Sequence, residues 1–219
     1  VDATISHLAQ GIWRKAIAAM AIDDQRTGGG KVTLSKATPS INLTRPGELQ
    51  GIMRVELTWA ARAKSLFRRS TPVELELGCL YELADGRTGV LRTATDAGAL
   101  EFEPHILLDR DGARPGSAGF NMDLARPEAF RQVLIFALCA QAPNWAAAKG
   151  TLTLAPTIGA NVELALDEPV ADTRSCAIAL LQNQGAGITV YREARYLTGA
   201  LDELVRTYRW GMDMDSARA

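Results

Sequence analysis

The hydrophobic pattern changes period once along the chain. Ile5, Leu8, Ile12, Trp13, Ile17 and Met20 recur mostly at steps of three to four, with Arg14 and Lys15 on another face. That spacing predicts an amphipathic helix. Polar residues and Gly28-Gly29-Gly30 follow it and read as a flexible linker. Residues 1–30 are therefore expected to form an accessory that packs on the main domain or on a partner. Residues 31–219 are expected to form that domain.

From Lys31 onward the period is two. Met53, Val55, Leu57 and Trp59 alternate with Arg54, Glu56 and Thr58, which predicts a half-buried strand. Val73, Leu75, Leu77, Cys79, Tyr81 and Leu83 repeat the pattern against Glu74, Glu76 and Glu82. Between these strands residues 61–69 form a basic connection, read as a solvated loop in preference to an anion site. Val133 to Leu138 is continuously apolar and short, as a central strand covered on both faces should be. Leu152 and Leu154, then Val162, Leu164 and Leu166, alternate across a turn at Pro156-Thr157-Ile158-Gly159. Cys176 to Leu181 and Ile188 to Tyr191 flank a hairpin signal at residues 183–187. Leu201, Leu204, Val205 and Tyr208 predict one short helix after Thr198, its expected N-cap. Many short strands with frequent turns predict an all-β, antiparallel β-sandwich.

Charge narrows the function classes. Lys plus Arg number 24 against 25 acidic residues, which argues against electrostatic binding of nucleic acid or of an anionic membrane. No apolar run reaches membrane-spanning length and no signal peptide is read at the start, so a cytoplasmic location is expected. Peripheral membrane association stays open. The three cysteines, Cys79, Cys139 and Cys176, lie in apolar runs without CxxC spacing. They read as buried, reduced core residues.

Catalytic motifs fail on inspection. Gly28-Gly29-Gly30-Lys31 lacks the leading Gly of a phosphate loop, where Gln25 stands, and its Ser or Thr, where Val32 stands. In Gly116-Ser117-Ala118-Gly119 the first Gly of GxSxG is replaced by Pro115, and no helix is expected to follow. His7 lies in the predicted helix, and His105, after Pro104, reads as a structural surface residue.

One segment offers metal chemistry. Asp109 and Asp111, followed by Gly112, form a loop that can turn oxygens toward a hard cation, and Gly116 and Gly119 let the backbone present carbonyls. An EF-hand is excluded, because Arg114 and Phe120 stand where its Gly and Glu belong. On residue types alone a plain acidic turn is the preferred reading.

At these residues the chain resembles the tellurium-resistance stress-protein family. Glu74-Leu75-Glu76-Leu77-Gly78-Cys79 and the following turn resemble that family's acidic strand, and residues 109–121 resemble its Asp-rich calcium loop. Ala142-Pro143-Asn144-Trp145-Ala146, residues 176–183 and Trp210-Gly211-Met212 resemble motifs of its TerA branch. The matches run through residues 31–214. The resemblance implies a TerD-like β-sandwich, a role in bacterial stress resistance and calcium at acidic loops. It puts Asp109 and Asp111 first among ligands, with Asn121 and Glu76 as weaker candidates.

Departures from the family pattern lower that expectation. Gly112 and Phe120 replace frequent acids, and Arg110 and Arg114 add positive charge, so calcium binding is expected to be weak or absent. The leading expectation is a non-enzymatic stress protein that assembles with related family members or with itself, with calcium binding and calcium control left open. A metal-free interaction scaffold is the second, and a metal-dependent hydrolase using Asp109 and Asp111 ranks last.

Overall fold

The computed structural model describes residues 30–45, 47–60, 73–109, 115–140, 145–185 and 187–211. The expected N-terminal helix and linker, the basic connection at 61–69 and Asp111 lie outside the described residues.

The strands are β1 (Lys31–Leu34), β2 (Ser40–Asn42), β3 (Ile52–Thr58), β4 (Glu76–Leu83), β5 (Thr88–Arg92), β6 (Gly98–Ala99), β7 (Ile106–Leu108), β8 (Ser117–Asp123), β9 (Phe130–Leu138), β10 (Gly150–Ala155), β11 (Asn161–Leu166), β12 (Ser175–Asn183) and β13 (Ile188–Leu197). Two short α-helices, α1 (Trp145–Ala148) and α2 (Leu201–Thr207), and a 3-10 turn at Pro127–Ala129 complete the described elements. One sheet has the order β1-β11-β10-β3-β8-β7-β6, and the other β2-β13-β12-β9-β4-β5.

Alternation decides how the first sheet buries itself. In β3, Met53, Val55 and Leu57 are fully buried, while Arg54 and Glu56 point to the other face. β8 and β10 flank β3 in antiparallel register, and β11 extends the same apolar face with Val162, Leu164 and Leu166. These residues share one core with Leu77, Cys79, Val133 and Ile135 of the second sheet. The two sheets thus face each other across that core, as the alternation predicts. One pairing departs from the antiparallel expectation, since β1 runs parallel to β11. A four-residue edge strand carries no sequence signal for its direction.

The second sheet is apolar on both faces at its centre. In β9, Val133 and Ile135 enter the shared core, while Leu134 and Phe136 belong to a second cluster with Leu80, Leu138 and Ala177. α2 covers that cluster with Leu201, Leu204 and Val205, and Trp210 adds its indole. The Trp210 Nε1 donates to the carbonyl of Tyr81 at 3.1 Å, which fixes the chain after α2 against β4. Gly78 faces Phe136 across β4 and β9, and a Cβ there would lie 2.6 Å from its ring. Only glycine leaves that ring its place.

Two local expectations are corrected. Thr198 is not the N-cap of α2. Ala200 occupies that position without a side-chain cap, and the Glu203 carboxylate instead accepts hydrogen bonds from the Gly199 N–H and the Thr198 hydroxyl. His105 is buried, at 8% exposure, with its Nδ1 3.0 Å from the Leu100 carbonyl and a φ of 60°. Its polar ring is tolerated inside because a backbone oxygen receives it. In β12 the register shifts between Ala177 and Ala179 against both neighbours.

All three cysteines are buried, and none forms a disulfide. Burial pushes the Cys79 and Cys176 thiols well above their ordinary value. Both should therefore react with a thiol reagent only at the rate of global unfolding; labelling within minutes of the native protein at pH 8 would contradict their placement. Truncating Leu204, fully buried over the second cluster, should cost about 2–5 kcal/mol in urea unfolding of Leu204→Ala. A loss well under 1 kcal/mol would show that α2 does not cover β9 as described.

Candidate functional site

The polar face of the first sheet gathers the candidate chemistry. β3 lies between β10 and β8, and its Arg54 is in register with Asn121 of β8. β7 pairs with the far side of β8, bringing Leu107 opposite Asn121. Asp109 follows directly, and its N–H donates to the Gly119 carbonyl at 3.0 Å, which continues the ladder one residue past β7. Strand order alone thus sets Asp109 two strands away from Arg54.

The Arg54 guanidinium crosses β8 to reach it. Nη1 donates to Oδ1 at 2.8 Å and Nη2 to Oδ2 at 2.5 Å, the two-pronged geometry that a planar guanidinium and a carboxylate form best. Gly119 makes the crossing possible. A Cβ at that position would lie 2.2 Å from Nη2 and 2.7 Å from Cζ of Arg54. The hydrogen bond to Asp109, followed by the nearby carboxylates of Asp109 and Glu56, holds the Arg54 guanidinium still more firmly protonated, against the opposing effect of its burial. Glu56 itself accepts from the Ser117 hydroxyl at 3.1 Å.

The expected ligands are not brought together as one set. Asp109 and Asn121 share this face, and the Asp109 carboxylate is engaged on both oxygens. Glu76 stands on β4 in the other sheet, where its two oxygens receive Arg92 Nε at 3.0 Å and Nη2 at 2.7 Å. Asp111 lies outside the described residues. Among the described residues no group of three or more His, Cys, Asp or Glu side chains is placed to hold a metal ion. Calcium wants six to eight oxygens, so a carboxylate already bound two-pronged by an arginine fits such an ion poorly. The Arg54–Asp109 pair is charge-neutral by itself.

Sequence reasoning missed Arg54 and Glu56 as members of this face, reading them only as the polar side of a strand. The alternation held the signal that they share a face, but not which residues lie opposite. Ser117, in the string that resembled a nucleophile elbow, sits inside β8 and hydrogen-bonds to Glu56, not on a strand-to-helix turn. Among the described residues no helix is long and apolar enough to cross a membrane.

No family model matches the chain. It is 31% identical over 192 residues to the tellurium resistance protein TerA of an Alcaligenes species, covering 83% of this chain. The chain spans about half the length of that relative, 56%. Two crystal structures are similar at 14% sequence identity. A homologue of the telluride resistance protein TerD from Streptomyces coelicolor aligns with a TM-score of 0.48 over 71% of this chain and 95% of its own. A protein of unknown function aligns with a TM-score of 0.46 over 70% and 95%.

The crossing of Arg54 over Gly119 yields a direct test. Gly119→Ala places a methyl group where the guanidinium lies and should lower stability by about 1–3 kcal/mol in denaturant unfolding. In an Arg54→Ala background the same change should cost less, because the guanidinium is gone and only the Val55 carbonyl, 2.8 Å from that Cβ, stays in the way. Equal losses in both backgrounds would show that the guanidinium does not occupy that space.

Proposed function

Since this chain is a homologue of the tellurium resistance protein TerA over most of its length, we propose that it is a stress-resistance protein of that type which works by binding other proteins and not by turnover. Its partners in this reading are related tellurium-resistance proteins or further copies of itself, and its place of work is the cytoplasm. Calcium binds weakly or not at all at its Asp109 loop.

The two-pronged Arg54–Asp109 pair is the observation that supports this reading. A divalent ion at Asp109 must first displace a guanidinium that already satisfies both carboxylate oxygens. It then shares the loop with that displaced positive charge, and ligand charge is what tunes calcium affinity. A site so handicapped has a dissociation constant of about 10⁻⁴ M or worse, at the weak end of the range. Glu76, paired with Arg92 on the other sheet, is in the same position. The polar face of β3 and β8 then presents a fixed Arg54–Asp109 pair beside the Glu56 carboxylate, suited to recognition by a partner without a metal switch.

The test is thermal unfolding with chelator and with 1 mM calcium, on the wild type and on Asp109→Ala. A weak site adds at most about 1.4 kcal/mol at that concentration, which raises the melting temperature by no more than about 5 °C for a domain of this size. A rise above about 8 °C that disappears in Asp109→Ala would overturn the weak-site reading. Sedimentation with a purified TerD-type protein addresses the partner. Association of similar strength in chelator and in calcium is expected, and association seen only with calcium would contradict the reading.

A further inference from the structure

Five large hydrophobic side chains are exposed among the described residues, namely Leu49, Ile52, Phe102, Leu107 and Ile158. Three of them are neighbours. Gln50 brackets the backbone of Ile158, donating to its carbonyl at 3.3 Å and accepting from its N–H at 3.4 Å. The Thr157 hydroxyl donates to the Ile52 carbonyl at 3.0 Å. Leu49, Ile52 and Ile158, at 87%, 53% and 45% exposure, therefore line one end of the first sheet, where β3 begins and the β10–β11 turn closes. The Gln50 and Thr157 side chains thus tie the backbones of Ile158 and Ile52 into this end of the sheet, with Leu49 next to Gln50 in the chain. Fixed apolar side chains left in water at one spot call for a cover.

The chain enters the described structure beside this spot. The Gly30 carbonyl accepts a hydrogen bond from the Asn161 N–H at 3.0 Å, and β1 then runs parallel to β11 from Lys31 opposite Asn161. Asn161 follows Ile158 by only three residues. Residues 5–20 carry the stripe of Ile5, Leu8, Ile12, Trp13, Ile17 and Met20, joined to Gly30 by a stretch that extends at most about 35 Å. A stripe tethered this closely sees the patch at a millimolar effective concentration, above that of any free partner at ordinary protein levels.

We propose that residues 5–20 of the same chain dock by their apolar stripe on the Leu49–Ile52–Ile158 patch. Arg14 and Lys15 then face solvent, and the three side chains that are exposed on the sheet's end become the floor of an intramolecular interface. The tether and the patch select each other, because the parallel pairing of β1 with β11 delivers the incoming chain to this end of the sheet and not to the other.

Cross-linking of the full-length chain tests this. Ile12→Cys and Ile158→Cys are combined and treated with a short bis-maleimide; the native cysteines are buried and compete little. An intramolecular product, independent of protein concentration, is expected. A dimeric product that rises with concentration would mean that a second copy covers the patch, and no product would mean that nothing docks; either overturns the proposal. Hydrogen exchange supplies a second readout on surface variants that leave the core intact. Protection of residues 5–20 should fall by about tenfold or more in Leu49→Asp and in Ile158→Asp. Protection unchanged in both variants, or absent from the wild type, would also overturn it.

Discussion

The need to cover the second sheet on both of its faces organises the rest of the molecule. β9 places Val133 and Ile135 on one side and Leu134 and Phe136 on the other, all fully buried. Burying a large aliphatic or aromatic side chain is worth about 1.5–3 kcal/mol, so neither face tolerates water. The first sheet covers one face, and α2 with Trp210 covers the other. That division leaves the first sheet with one apolar face only. Its outward face is free to be polar, and there Arg54, Glu56, Asp109 and Ser117 meet.

Much of this was legible in the sequence, for reasons that can be named. The alternation through β3 and the two hairpins β10–β11 and β12–β13 rest on local patterns, and local patterns survive in one dimension. The uninterrupted apolar run of β9 announced a strand buried on both sides, and α2 announced itself by its spacing. What stayed hidden depends on distant partners. The parallel docking of β1, the strands β2, β5 and β6 of two to five residues, and the register shift at Ala177 and Ala179 are settled by neighbours far along the chain. His105 was misplaced because its cover comes from the Leu100 carbonyl in a turn that has no hydrophobic period.

The candidate site divides in the same way. Asp109 was visible as a carboxylate in a glycine-containing loop. Its counter-charge was not, since Arg54 lies 55 residues earlier and meets it only through the order β3-β8-β7. Gly119, first read as a residue that loosens a loop, instead lies in β8 and clears the path of the guanidinium. A built-in cation thus occupies a carboxylate that the family resemblance marks for a metal.

Both side chains of the pair are about one-third exposed, at 36% and 33%, so solvent screens their attraction and the net coupling is modest, about 0.5–1 kcal/mol. It is still measurable. A double-mutant cycle of Arg54→Ala and Asp109→Ala, read by denaturant unfolding in chelator and again in 1 mM calcium, tests the central claim most directly. The account predicts a favourable coupling of the same size under both conditions. No coupling in chelator, or a coupling that calcium erases while stabilising the wild type, would contradict it.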